Sequence, residues 1–401
     1  MSPVIFHIDV NSAYLSWTAV EQLKNGAKVD LREIPSIIGG DKKSRHGVVL
    51  AKSISAKKYG IRTGEPVVNA FRKCPNLAME PPNHRMYREK SQKLMEYLRG
   101  FTTKIEQVSV DECYLDFTDI ADRFPSPLDA AFLMKNGIRE RFGFTVNIGI
   151  SENKLLAKMA SDFEKPDKVH TLFLREVPVK MWPLPLGELF MAGRSSVEAL
   201  KKLEINTIGD LANADLSLIE LHLKSHGKML WEFANGIDHS PVQWEQAEAK
   251  GIGNSTTLAE DAATYEEVRE VFAGLAESVG RRLRKAGQKA NMVSMEIKYH
   301  DFQSISHQTQ LSKPTSDEQV LLDTACRLFQ EAWTGEPVRL LGIRTAKLVD
   351  AGEPEQMSIF DLEPQKPVDE KRQRLNAAMN QIRKKYGDDA VMKASRMKKV
   401  K

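Results

Sequence analysis

"EQVSVDECYLDF", residues 106–117, reads as extended chain with a discontinuity in its middle. Val108, Val110, Tyr114, Leu115 and Phe117 are residues that favour strands, whereas Asp111 and Glu112 are acids that strands avoid. On one straight strand the two carboxylates would point to opposite faces. A hairpin resolves the conflict: residues 106–110 run outward, Asp111 and Glu112 turn the corner, and "CYLDF" returns, leaving both acids on the same open side. "PVIFHIDV" (3–10) is a second apolar strand signal, and Asp9 near its end can reach the same sheet edge. Three carboxylates converging without an arginine repel one another, and divalent cations make such a cluster tolerable. Oxygen-only ligands suit magnesium or manganese better than zinc. Two such ions about 4 Å apart can align and charge-stabilise an in-line phosphoryl displacement. Taken alone, Asp-Glu is also the ordinary composition of an exposed hairpin tip, so the decision rests on the rest of the chain.

The chain has 401 residues, too many for one hydrophobic core, and about two to four domains are expected. With 41% hydrophobic and 28% charged residues it reads as soluble and globular. No apolar run reaches membrane-spanning length, and the opening "MSPVIFHID" has neither a basic flank nor a signal-peptide core, which implies a cytoplasmic protein with no membrane partner. Cys74, Cys113 and Cys326 are too scattered for a disulfide framework or a zinc site. His222 and His226 have helical spacing but no accompanying Glu or Cys, so they read as a solvated helix face. The net charge of +4 is carried by the last residues, 366–401. That basic tail fits either a polyanionic partner or a solvated terminal helix.

Periodicity predicts helices over 84–101 and 128–143, then a half-buried strand over 144–151 and a helix capped by Ser151. The order implies helices on one face of a mostly antiparallel sheet. Short Gly-broken helical pieces fill 169–240, and 241–250 is a polar linker. Residues 251–350 alternate again: helices from "TYEEVREVFAGLAESVGRRLRKAG" and "DEQVLLDTACRLFQEAW", strands from "MVSMEIKYHDF" and "PVRLLGIRTAKL". Pro, Glu and Gln dominate 351–368, which predicts disorder.

Seven segments in order, "HIDVNSAY" (7–14), "AKKYGIRTGEP" (56–66), "SVDECYLD" (109–116), "NIGISENKLLAKMASD" (147–162), "TIGDLA" (207–212), "GNSTTL" (253–258) and "RLLGIR" (339–344), resemble the Y-family DNA polymerases, the lesion-bypass class, and among them the bacterial polymerase IV-like group. The resemblance runs from about residue 3 to the end. It implies a multidomain α+β right hand: a discontinuous palm (1–12 and 81–168), fingers (13–80), a helical thumb with helix-hairpin-helix elements (169–240), a linker (241–250), an α+β little finger (251–350) and a tail (351–401). It implies a template-directed polymerase of low fidelity and low processivity that joins deoxynucleoside triphosphates to the 3′-hydroxyl of primer-template DNA. Asp9, Asp111, Glu112 and the Val10 carbonyl take the metal-binding roles, with two magnesium ions, or manganese, as cofactor. Tyr14 falls where the family carries a gate against the ribose 2′-hydroxyl; ordinary core packing is its competing reading. Lys154, at a helix start, matches a triphosphate-binding lysine, and Lys158 reads as solvated or DNA-facing.

Several positions depart from the family pattern. Ile54 and Lys57 stand where Tyr and Arg are common; isoleucine offers no donor, and lysine only a point charge in place of a bidentate fork. Asn11 replaces a common acid. In the thumb Gly193 is kept but its partner glycine is not, leaving Arg194, Lys201 and Lys202 to compensate, while Gly227 and Lys228 keep the second turn. In the little finger, Asn254, Ser255 and Thr256 offer donors to template phosphates, and Arg344 and Lys347 offer cations. The run Arg281, Arg282, Arg284 and Lys285 reads equally as a solvated helix face. In the tail, Gln356, Met357, Ser358, Ile359 and Phe360 resemble the peptide that binds the sliding clamp. A monomer is expected. The rival functions are a polymerase-shaped scaffold that binds DNA and the clamp without catalysis, and a nucleotide cyclase, for which the thumb, "GNSTTL" and the clamp peptide would be superfluous.

Overall fold

The computed structural model describes residues 3–41, 47–245 and 248–352, with three more helical positions at 378, 382 and 385. Strand β1 (Ile5–Val10) leads directly into α1 (Ala13–Lys24). A small unit follows, made of β2 (Ser36–Gly39), β3 (Val49–Lys52), α2 (Ile54–Lys57), α3 (Val67–Lys73) and β4 (Ala78–Glu80), its sheet ordered β3-β2-β4. Helix α1 is buried on two sides. Ala13, Trp17 and Val20 belong to the core beneath β1, whereas Leu15 and Ala19 pack with Leu31, Ile38 and Ala51 of the small unit.

The chain then returns to β1 through α4 (His84–Arg99), β5 (Ile105–Gln107), β6 (Glu112–Asp116), α5 (Pro127–Phe142), β7 (Val146–Ser151), α6 (Lys154–Ser161) and β8 (Val169–Thr171). The sheet order is β5-β6-β1-β7-β8, antiparallel except for β7 with β8. Strand β8 carries this sheet to Thr171, past residue 168 where the sequence suggested its border. The hairpin forms, with Ile105 opposite Leu115 and Gln107 opposite Cys113.

Strand alternation decides what covers each face. Phe6, Ile8 and Val10 join Leu94, Leu98, Met134 and Ile138 of α4 and α5 in one core. Ile5 and His7 face the other way, against Ala157 and Ser161 of α6. The sequence suggested helices on one face only; α6 instead lies on the opposite face from α4 and α5. Gly149, opposite His7, makes this approach possible: a Cβ there would collide with the Ala157 carbonyl oxygen. Every residue of β7 is consequently buried, so the strand is not half-buried as its alternation suggested. The cap of α6 also differs. Asn153 accepts from the Leu156 N–H at 2.9 Å, while Ser151 stays in β7 and donates to the Leu172 carbonyl at 2.6 Å.

Helices α7 (Val177–Lys180), α8 (Arg194–Lys201), α9 (Ile208–Ala212) and α10 (Leu216–Ala234) gather Leu200, Ile208, Leu211, Ile219 and Leu230 against Leu156 and Met159 of α6. Helix α10 breaks at Lys224, where φ is 53°. The third sheet comprises β9 (Gly251–Ala262), β10 (Gln288–Tyr299), β11 (Ser304–Thr315) and β12 (Val338–Asp350) in the order β11-β10-β12-β9, all antiparallel. Helices α11 (Tyr265–Lys285) and α12 (Glu318–Ala332) cover one face, with Phe272 against Phe329 at 5.9 Å. Strand β11 has no apolar alternation to announce it. It is an edge strand, and Ser304, Ser306 and Gln308 line the uncovered side. No helix among the described residues is long and apolar enough to cross a membrane. All three cysteines are buried and free.

Candidate active site

Asp9 ends the apolar part of β1 and Glu112 begins β6; in the antiparallel register they stand directly opposite each other. Asp111 lies in the preceding turn, tied to β1 by the Val10 N–H, which donates to its carbonyl at 3.0 Å. Ser109 shapes the turn. Its hydroxyl accepts from the N–H groups of Asp111 and Glu112, each at 3.2 Å, and donates to the Asp111 carboxylate at 2.6 Å. The three acids thus reach one end of the sheet, but Glu112 stands within β6 and not in the turn with Asp111 as the sequence pattern suggested.

Lysines set the electrostatics here. Lys165 pairs with Asp9 and with Asp162 at 2.8 Å. Lys158 pairs with Glu112 at 3.0 Å and with Asp162 at 3.3 Å. His7 Nε2 lies 3.4 Å from Glu112. The Ser161 hydroxyl donates to the Lys158 carbonyl at 2.8 Å and lies 2.7 Å from His7 Nδ1. Burial keeps the His7 imidazole below its ordinary pKa. The His7 side chain, together with the Lys158 ammonium, holds Glu112 down to about 2, against the effect of burial. Asp111 moves the other way. Burial raises it, and the charges of Asp9 and Glu112 add to this against the Ser109 hydrogen bond. Among the described residues no three His, Cys, Asp or Glu side chains converge tightly enough to hold an ion. The donor chemistry nevertheless suits a hard cation: the donors are carboxylate oxygens, and the charges of Asp9 and Glu112 act on Asp111, which has no ammonium partner among the described residues.

A cavity of about 610 Å³ opens over Asp9, Val10 and Asp111 and runs to the small unit, where Ile54, Lys57 and Thr63 line it. Tyr14 forms part of its wall, stacked on Tyr87 at 4.3 Å with 8° between the rings. Its hydroxyl pKa is raised by burial and by the Asp111 charge. Asn11 is buried: it donates to Asn147 at 3.1 Å and accepts from Thr145 at 2.9 Å and from the Asp167 N–H at 3.0 Å. It therefore fastens the Lys165–Asp167 segment to the sheet.

Lys154 is not in this cavity. It is held by Glu106 at 2.7 and 2.8 Å and lies over the Tyr114 ring. The anion expected at the start of α6 comes from the protein itself, since Asp238 accepts from the Leu155 N–H at 3.0 Å. The lysine that does line the cavity beside Asp9 is Lys165. No periodicity or motif spacing singles it out; the lone signal is its place just after α6, before Pro166.

The suggested DNA contacts divide by exposure and by strand face. Gly193 caps α8, and Arg194 is exposed and paired with Glu198 at 2.9 Å. Gly227 is buried, because a Cβ there would lie 2.7 Å from the Ile219 carbonyl oxygen, while Lys228 is exposed. On the third sheet, Ser255 and Arg344 line an open groove of about 1040 Å³. Asn254 also lines that groove, although it pairs with Ile343 and donates to Ser278 of α11 at 3.3 Å; Thr256, opposite Leu341, does not line it. Two cations of the α11 run are occupied locally: Arg282 donates to the Gly253 carbonyl at 2.7 Å and Arg284 to the Ser316 carbonyl at 2.9 Å. Gln356, Met357, Ser358, Ile359 and Phe360 lie outside the described residues.

Residues 8–162 match the impB/mucB/samB family, and residues 249–359 match that family's C-terminal domain. The chain is 47% identical to a DNA polymerase IV of Clostridium acetobutylicum, over 100% of this chain and 99% of the relative. It is 38% identical to DNA polymerase IV 1 of Bacillus subtilis, over 99% and 94%. Its fold is similar to that of a solved Y-family DNA polymerase chimera, with a TM-score of 0.75 at 21% identity, covering 86% of this chain and 99% of that one.

Proposed function

The chain belongs to the impB/mucB/samB family, the Y-family DNA polymerases, and from that membership we propose that it is a template-directed DNA polymerase of the lesion-bypass class. The observation that carries the reading is the meeting of Asp9 and Asp111 in one cavity with lysines at its far wall, and with Glu112 directly across from Asp9. A non-catalytic scaffold would have no use for that arrangement.

Asp9, Asp111 and Glu112, with the Val10 carbonyl, would hold two magnesium ions (manganese as the alternative), which when bound neutralise the triphosphate and make the primer 3′-hydroxyl more acidic. Lys165 pairs with Asp9, and Lys158 helps to hold Glu112 as a carboxylate. Lys165 also places a cation in the cavity, positioned for the nucleotide's phosphates. The Tyr14 ring stands where a ribose 2′-hydroxyl would have to fit. Ser255 and Arg344 of the open sheet grip the primer-template backbone. Residues 356–360 tether the enzyme, a cytoplasmic monomer, to the sliding clamp and raise its local concentration on DNA. Low fidelity and low processivity go with this class.

Primer extension with magnesium is the test. The purified chain extends a primer as its template directs, and Asp111→Ala or Glu112→Ala lowers the rate by a factor on the order of 10³ or more. Extension unaffected by either change overturns the site assignment.

A further inference from the structure

The far wall of the cavity contains a lysine that the motifs do not point to. Lys52, the last residue of β3, lines the cavity together with Lys57 and Thr63. Its ammonium lies 3.4 Å from the Thr63 hydroxyl. Two cations of the cavity wall, Arg32 and Lys165, are committed to acids. Arg32 is held by both oxygens of Asp30 and donates to the Gly143 carbonyl at 2.7 Å. Lys165 is held by Asp9 and Asp162. Lys52 and Lys57 have no carboxylate partner among the described residues. The acid that acts on Lys52 at longer range, Glu65, is already taken by the Lys73 ammonium at 2.5 Å and the Arg62 N–H at 3.1 Å.

Two ammoniums facing one partly enclosed space without a counterion are unfavourable by themselves, and a polyanion between them removes the repulsion. Burial, and then the charge of Lys57, push the Lys52 ammonium below its ordinary pKa. The cavity supplies a reason for the second lysine. Ile54 is 55% exposed and lines the wall without offering a donor, and Lys57 has only a point charge. We propose that Lys52 is a second phosphate-binding residue of the fingers, acting with Lys57 on the polyphosphate of the incoming nucleotide in place of the donors that Ile54 and Lys57 do not provide. The inference rests on the cavity being the nucleotide site.

The test uses the full chain with primer-template DNA and magnesium. Lys52→Met keeps the aliphatic stem and removes the charge. It raises KM for the nucleotide, and the inhibition constant of inorganic tripolyphosphate, about tenfold or more, and leaves KM for primer-template unchanged. Lys52→Arg restores both values to within about threefold. Lys52→Gln is read in the same way, should methionine disturb the fold. Nucleotide KM and tripolyphosphate inhibition unchanged in the neutral variants overturn the proposal, as does a rise confined to KM for DNA. The parent reading is scored separately by Asp111→Ala. If that variant is silent while Lys52→Met behaves as wild type, the cavity keeps its assignment and Lys52 loses its role. If Asp111→Ala extends normally, the cavity assignment itself fails.

Discussion

The Lys158 ammonium donates to the Glu112 carboxylate at 3.0 Å, one strand away from the Lys165–Asp9 pair. Asp111, beside them, forms no ion pair with any described residue and relies on the Ser109 hydroxyl. The acids of this sheet end are therefore unequal, and the inequality should be measurable as stability.

Glu112 is held at about 2, so its contribution to stability is present above the ordinary carboxylate pKa and is lost as pH falls toward that value. Asp111 is raised, so its contribution is present at low pH and is lost as pH rises through its shifted value. At pH 7 Asp111→Asn should raise Tm by about 1–3 °C, and Glu112→Gln should lower it. Both differences should shrink below about pH 4. Calorimetry at several pH values checks this; a loss of Tm in Asp111→Asn matching that of Glu112→Gln would contradict it.

Tyr14 presents its ring to the cavity while stacked on Tyr87 at 4.3 Å. Tyr14→Ala should lower the preference for deoxynucleotides over ribonucleotides by a factor on the order of 100, and Tyr14→Phe should keep it, because the ring and not the hydroxyl occupies the space. Competition between the two nucleotide types in single-turnover extension measures this. Unchanged sugar discrimination in Tyr14→Ala removes the gate.

Arg344 is exposed in the groove of the third sheet and has no ion pair among the described residues. Arg344→Ala should weaken primer-template binding uniformly across sequences and reduce the slope of log K against log salt by about 1. Fluorescence anisotropy at several salt concentrations reads the slope. An unaltered slope would exclude this face from contact with phosphates.

Removing residues 356–360 should abolish stimulation by the sliding clamp and leave clamp-free extension at the wild-type rate. Extension on circular primed DNA with and without clamp distinguishes the two. Stimulation that survives the deletion rules out the peptide as the tether.

The acids were legible because two carboxylates break a strand pattern that otherwise obeys its period, and a hairpin is the simple geometric remedy. The apolar periods of α4, α5, α11 and α12 were legible for the same kind of reason. What could not be read depended on partners distant in sequence. The side of the sheet on which α6 lies is decided by Gly149, whose missing Cβ matters only once Ala157 is above it. Lys154 begins a helix as a phosphate ligand would, but its ammonium pairs with Glu106, and Asp238 accepts from the Leu155 N–H beside it. Strand β11 shows polar residues to the open side and has too little apolar alternation to be seen. Lys165 and Lys52 are single lysines in a chain with 58 basic residues, and nothing in local sequence ranks them above the others.

Helix α1 gives one side to the sheet of acids and the other to the unit carrying Lys52 and Lys57. A motion of that unit would pivot on this helix, whose first turn carries Tyr14. Tyr14 lies next to that pivot, and Lys52 and Lys57 stand on the unit that would move.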